Sequence, residues 1–395
     1  MNKFVASAML LACSLTSVGA QEKAEGYQFS TVKELKVTPI QSQGRTGTCW
    51  CFSSLSFLES EILRLGKGEH NLSEMFVVNH TYRAKAERFV RLHGTLNFGQ
   101  GGAFSDPLYV LKNFGLVPES VMSGLNYGED THAHSEMEAI ASAYVKAVVK
   151  NPNRKLSPVW KEGYNATIDS YLGKLPETFQ YNGKEYTPKS FAAEVGLNAD
   201  DYVSLTSFTH HPFYSQFTIE VPDNWLWTLS YNLPLDELMS VMDNAINTGY
   251  SIAWASDVSE KGFTRDGLAI MPDVESLETS GSDQARWVGL STSEKEQEIK
   301  KMMESPCKEI EVTQELRQQA YDNYQTTDDH GMHIYGIAKD QTGKEYYMVK
   351  NSWGTESKYK GMWYASKAFV SYKTLNIVVH KDALPKAIKA KLGIK

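Results

Sequence analysis

Cysteine is scarce in this 395-residue chain: there are four, and Cys13 lies in an apolar N-terminal run, which leaves Cys49, Cys51 and Cys307. Three thiols cannot build the disulfide framework that holds small exported domains together, so the fold has to rest on a buried apolar core. Long apolar runs are absent after the N-terminus, which excludes a helical membrane span there. Basic charge is in deficit as well, with 40 Lys and Arg against 47 Asp and Glu. No basic stripe with interleaved aromatics offsets that balance, so nucleic acid is not an expected partner. With 42% hydrophobic and 22% charged residues, the chain can bury a large core, and one unit of two lobes plus an insertion is expected.

The N-terminus has a pattern of its own. Met1-Asn2-Lys3, the apolar stretch from Phe4 to Leu15 and the small residues Val18-Gly19-Ala20 have the charge, apolar run and cleavage site of an export signal. Residues 1–20 are therefore read as a leader, and the chain is expected to be periplasmic or secreted, starting at Gln21. Loss of Lys3 takes the net charge from −7 to −8. Leu10-Leu11-Ala12-Cys13 offers a lipoprotein alternative through Cys13, disfavoured because the apolar run before it is short.

What is present is a loop running into a helix: Gln43-Gly44-Arg45-Thr46-Gly47-Thr48-Cys49-Trp50-Cys51-Phe52-Ser53. Leu55, Leu58, Ile62 and Leu65 follow at helical spacing, with Gly66 as a stop, so Cys49 is placed at the start of a one-sided helix. There the unpaired N–H groups and the positive dipole end favour a thiolate. Gln43 supplies a neutral donor, and with the Cys49 N–H it could face the oxygen of a tetrahedral intermediate. Cys51, two residues on, points elsewhere and is read as core.

Downstream lie Asp329-His330-Gly331-Met332-His333 and Asn351-Ser352-Trp353-Gly354. The segment from His330 to Ala338, a turn at Thr342-Gly343 and a return over Tyr346 to Val349 read as a hairpin. Residues three apart on a strand face opposite sides, so only one of His330 and His333 can face Cys49, and His330 is the better base. Asn351, at the end of the returning strand, is placed to orient its ring, with Trp353 covering that contact.

These three segments resemble the papain-like cysteine peptidases, whose signature carries a Cys-Gly-Ser-Cys-Trp core. The resemblance implies an α+β, two-lobe fold, with a helical lobe carrying the nucleophile and a β-rich lobe carrying His and Asn. It assigns Cys49 as nucleophile, His330 as general base, Asn351 as its orienting partner, and Gln43 with Cys49 as the oxyanion hole. Gly101-Gly102, after Asn97-Phe98-Gly99-Gln100, resembles the family's substrate-binding glycine pair. Peptides are the implied substrates, and no metal or organic cofactor is required.

Two departures narrow the family. His330 follows Cys49 by 281 residues, where the ordinary pattern has roughly 130 to 150. Only 22 residues separate Ala20 from Gln43, too few for an inhibitory pro-domain. Both features are similar to the bleomycin hydrolase and bacterial aminopeptidase C branch, as are Asn71-Leu72-Ser73, Phe114-Gly115-Leu116-Val117-Pro118 and Leu233-Pro234-Leu235. In that branch a C-terminal arm blocks the cleft and its carboxylate holds the substrate's amino group. This sequence ends at Lys391-Leu392-Gly393-Ile394-Lys395 without that terminal run. An aminopeptidase is the first expectation and a papain-like endopeptidase the alternative; transglutaminase-type transfer and a non-catalytic binding protein are remote. Relatives form hexamers, which leaves a homo-oligomer open here.

The insertion, placed at approximately 103–230, reads as mostly helical. Ser135 to Lys150, Ser157-Pro158 to Leu172 and Thr187-Pro188 to Val195 each show a cap, a body and a stop. Leu235 to Thr248 reads as a further helix and Tyr250 to Val258 as a buried strand. His132, His134, His210 and His211 are taken as ordinary surface histidines, and Glu294 to Lys301 as a solvated helix face.

Overall fold

The computed structural model of the chain describes residues 26–151, 153–274, 287 and 289–395. The leader reading at 1–20 lies outside them. After strand β1 (Phe29–Glu34), the first lobe is built from α1 (Cys49–Arg64), α2 (Glu74–Arg91), α3 (Ser105–Asn113), α4 (Ser135–Val149), α5 (Val159–Leu172) and α6 (Pro188–Glu194). A small hairpin, β2 (Phe179–Tyr181) with β3 (Lys184–Tyr186), sits between the last two helices. One apolar cluster runs from Trp50 through Phe76, Val110 and Tyr164 to Leu197 and joins these helices.

The second lobe is a sheet. Its strands are β4 (Tyr202–Thr206), β5 (Gln216–Thr218), β6 (Leu229–Asn232), β7 (Ile252–Ser256), β8 (Leu268–Ala269), β9 (His330–Asp340), β10 (Glu345–Lys350), β11 (Met362–Ser366) and β12 (Thr374–His380). They are ordered β5-β6-β4-β12-β7-β9-β10-β11-β8, with β1 paired to β9. Helix α7 (Leu235–Thr248) packs its Leu238, Val241, Met242, Ala245 and Ile246 on this sheet, in a second apolar cluster with Trp254, Ile334 and Val349. The α+β, two-lobe architecture follows from these two cores.

The helices expected in the insertion form close to their sequence signals. Gly173 and Gly196 stop α5 and α6 at φ of +88° and +82°, a conformation that costs glycine little. Helix Thr292–Met302 has no buried residue, as its alternating charge implied. The sequence reading missed β4, β5 and β6, which extend the sheet of the second lobe. They have three to five residues each, too short for an alternating pattern to register.

One expectation needs correcting. α1 is not one-sided: every residue from Trp50 to Ile62 is buried, whereas Leu65, expected on the apolar stripe, is a 40% exposed cap. The helix is sandwiched, with α2 and α3 on one side and β7 and β9 on the other. Most of its polar residues are tolerated because they find partners, Ser60 being the exception. Ser53 and Ser54 turn back to the carbonyls of Cys49 and Trp50, both at 2.6 Å. Glu59 accepts the Leu72 N–H at 2.9 Å and lies against Thr38, and burial pushes its carboxyl up to about 7. A helix this enclosed holds its N-terminal residue rigidly, and that residue is Cys49.

Candidate active site

The site forms where the two cores meet. Cys49 comes from the first turn of α1, His330 from the start of β9 and Asn351 from the end of β10. Gly331 keeps β9 close to the helix: a Cβ there would lie 2.8 Å from Ser53 Oγ and 3.2 Å from Trp50 Cα. This approach lets the Gly331 N–H, with that of Trp50, reach the Cys49 sulfur. His330 and His333 separate as the strand alternation requires. His330 Nε2 meets Asn351 Oδ1 at 2.8 Å, while His333 is fully buried with its Nδ1 2.9 Å from Ser56 Oγ. Cys51 is core, its thiol on the Glu74 carbonyl at 3.5 Å.

Asn351 fixes the tautomer of His330. Its Oδ1 also accepts the Ser352 N–H at 2.8 Å, so the carboxamide oxygen faces the ring and the ring nitrogen facing it has to donate. With the proton on Nε2, the lone pair is on Nδ1. Trp353 lies over the imidazole with ring centres 4.7 Å apart, braced edge-on by Phe263 and Trp363. At 42% exposure Trp353 is itself the cover between this contact and solvent.

Gln43 is tied on both sides of its amide. Ser352 Oγ donates to its Oε1 at 2.7 Å, and its Nε2 donates to the Thr46 carbonyl at 2.7 Å. That uses one of two amide hydrogens and leaves the other. The backbone repeats the link, Gln43 N–H to Ser352 C=O at 2.8 Å. Ser352, to which the sequence reading gave no role, therefore joins the Gln43 loop to the segment holding His330. Gln100 is a second strap, receiving the Gly47 N–H at 2.8 Å on its side chain and the Trp50 indole at 2.9 Å on its carbonyl.

The glycine pair divides. The Gly101 carbonyl is taken by the buried Lys85 ammonium, and a Cβ at Gly101 would fall 2.0 Å from Asp223 Oδ2. A Cβ at Gly102 would meet the Trp50 ring at 2.8 Å. Among the described residues Gly102 has no backbone partner and lines the cleft, so only this half of the pair is placed to meet a peptide.

Beside His330 opens a cavity of about 380 Å³, walled by Leu108, Tyr109, Ile219, Val221 and Val378 and carrying Asp223, Asp328 and Asp329. Asp329 is occupied by the Val258 N–H and Ser259 hydroxyl. Asp223 takes Asn97 at 3.1 Å, and Asp328 takes the Asp223 N–H at 3.0 Å. Burial pushes Asp328 up to about 6 and raises Asp223, against the pull of Lys85.

Burial dominates the electrostatics of the candidate pair. It pushes the Cys49 thiol up to about 11, opposed by the Gly331 and Trp50 N–H groups and reinforced by Asp223 and Asp329. It pushes His330 down to about 4, opposed by Asn351. Both uncharged forms are favoured at rest, in contrast to the thiolate expected from the helix terminus. A proton passed from sulfur to imidazole would create adjacent opposite charges, each offsetting the other's desolvation.

The histidines read as surface residues are corrected in part. His132 and His134 are buried at 9% and 0% exposure. The His132 carbonyl accepts the Arg45 N–H at 2.8 Å, and a Cβ on Gly44 would clash with it at 2.4 Å. They back the loop that carries Gln43.

The chain resembles known proteins in sequence and fold. The model of the papain family cysteine proteases matches residues 26–156, and that of the peptidase C1-like family matches 292–394. Aminopeptidase C of Streptococcus thermophilus is 22% identical over 94% of this chain and 86% of its own length. Aminopeptidase G of Lactobacillus delbrueckii subsp. lactis is 23% identical over 91% and 84%. The crystal structure of PepW from Lactobacillus rhamnosis superposes with a TM-score of 0.69 at 18% identity, covering 92% of this chain and 84% of that one. The chain is a cysteine-type peptidase. It is similar to the papain-like family at both ends and, over most of its length, to aminopeptidase C.

Proposed function

We propose that this peptidase is an exported aminopeptidase working through Cys49, His330 and Asn351. Nδ1 of His330 takes the thiol proton as sulfur attacks the peptide carbonyl carbon, and the carbonyl electron pair moves onto oxygen. The remaining Gln43 amide hydrogen and the Cys49 N–H, which has no partner within its helix, would receive that oxyanion. The imidazolium then gives its proton to the departing amine. Water, deprotonated by the same ring, releases the acyl group, and Asn351 keeps the ring in register.

The exopeptidase reading is carried by Asp223 and Asp328, which line the cleft together with Gly102 and His330. Lys85 is the cation that acts on Asp223, and Asp223 opposes formation of the thiolate. A substrate ammonium seated there would be bound by a charge-assisted contact and would also remove that opposition.

The test uses one peptide with its N-terminus free or acetylated, products read by mass, and Cys49→Ala as control. Stepwise loss of single residues from the free form alone is expected. Asp223→Asn should then raise KM for the free peptide about 10- to 30-fold with kcat little changed, the pattern of a lost binding contact. KM should also climb as pH falls through about 6, where Asp328 gains its proton, and Asp328→Asn should flatten that limb. Internal cleavage of both forms would overturn the aminopeptidase reading and leave an endopeptidase.

Export is supported by the residue pattern at 1–20 alone. Intact mass of protein recovered outside the cytoplasm should correspond to a chain starting at Gln21; an uncleaved chain retained in the cytoplasm would sink the idea.

A further inference from the structure

Away from the cleft, His210 and His211 converge on one carboxylate. His210 Nε2 lies 3.2 Å from Glu220 Oε2 and His211 Nε2 lies 3.3 Å from Glu220 Oε1. All three ligand atoms are within 4.8 Å of one another. These spacings are long for a charge-assisted hydrogen bond, which closes to about 2.7–2.9 Å. Each imidazole faces a different oxygen of the carboxylate, and with one ligand atom per residue inside 4.8 Å a small closure would bring the set to the tetrahedral edge of about 3.3 Å that ligand atoms about 2.05 Å from zinc define.

Each side chain is held from behind. His211 stacks on Phe217 with ring centres 4.3 Å apart, and His210 lies parallel to Tyr321 at 5.5 Å. The Tyr321 hydroxyl donates to the Glu220 carbonyl at 3.0 Å. Gln318 sits behind His210, its Nε2 3.1 Å and its Oε1 3.4 Å from Nδ1. It is anchored by the Thr209 N–H at 2.6 Å and by Asp322 at 2.9 Å. If His210 moves its proton to Nδ1, Gln318 Oε1 can accept it and Nε2 is freed for a metal, the outer-shell arrangement that metal-bound histidines need.

We propose that His210, His211 and Glu220 form a site for a divalent transition metal, with zinc the best match to two imidazoles and a carboxylate. Three protein ligands leave a fourth position for water. The site tethers the loop after β4 to the loop that follows β5. Glu220 lies between Ile219 and Val221, which wall the substrate cavity, and Asp223 is three residues on. A bound ion would thus brace the cavity wall from outside, at a place the peptidase chemistry does not use.

The test measures zinc binding to full-length Cys49→Ala protein, which removes the thiol in the cleft, by equilibrium dialysis and by the visible absorption of cobalt(II). One ion per chain, a tetrahedral cobalt spectrum and a zinc-dependent rise in Tm are expected. His211→Ala and Glu220→Gln should each weaken binding at least about 30-fold and abolish the rise in Tm. Both changes are at partly exposed positions, and equal Tm values without metal would show that the variants fold. Absence of stoichiometric binding would overturn the site, and so would affinity unchanged in both variants.

Discussion

Cys49→Ala is expected to lower kcat for peptide hydrolysis by at least about 10⁴, and His330→Ala by a similar factor, with the double variant no worse than either. On the proposed mechanism each residue acts only with the other. The Cys49 residue is half-buried and its thiol is pushed up to about 11, so in that mechanism it attacks effectively only while His330 takes its proton. The imidazole, pushed down to about 4, is uncharged at neutral pH and has its Nδ1 lone pair available because Nε2 is bonded to Asn351. Non-additivity is the decisive reading: two independent contributors would multiply their losses. Cys51→Ala is the control, because that thiol is buried on the Glu74 carbonyl and its loss should lower Tm while kcat stays near the parent value. Wild-type turnover by Cys49→Ala would mean that the nucleophile lies elsewhere.

The parts of this molecule legible in the sequence are those written in local pattern. The β9–β10 hairpin could be read because its turn and both strands are contiguous, and Asp340 closes that turn with bonds to the Thr342 and Lys344 N–H groups at 2.8 and 3.1 Å. Helices α5, α6 and α7 could be read because Gly173, Gly196 and Gly249 stop them, and α6 also carries a capping box at Thr187. Burial of α1 on both faces could not: Ser53, Ser56 and Glu59 look solvent-facing until β9 and α2 cover them. The partners of His211 and Gln43 were hidden for the same reason. Glu220 and Ser352 are unremarkable in sequence and gain meaning only from what folding places beside them. The two acidic residues before His330 were visible, but Asp223 comes from another segment, and only the cavity brings it to Asp328.

Gln43→Ala is expected to reduce kcat about 10²- to 10³-fold with KM nearly unchanged, the cost of removing one donor from a developing oxyanion. Ground-state substrate offers this donor a neutral carbonyl, so the contact strengthens as charge moves onto oxygen and its loss falls on kcat. The side chain is buried, and its rotation is blocked by Ser352 on Oε1 and Thr46 on Nε2. That restraint predicts a graded partner effect. Ser352→Ala leaves the amide in place but frees it to turn, so kcat should drop about 10-fold, and adding it to Gln43→Ala should cost little more. A purely structural role for Gln43 would predict instead that Tm and KM shift together and that Ser352→Ala remains additive. Because Ser352 is covalently next to Asn351, the pH profile separates the two effects: a displaced imidazole would move the acidic limb of kcat/KM, whereas a loosened Gln43 should lower the whole profile and leave its midpoints in place.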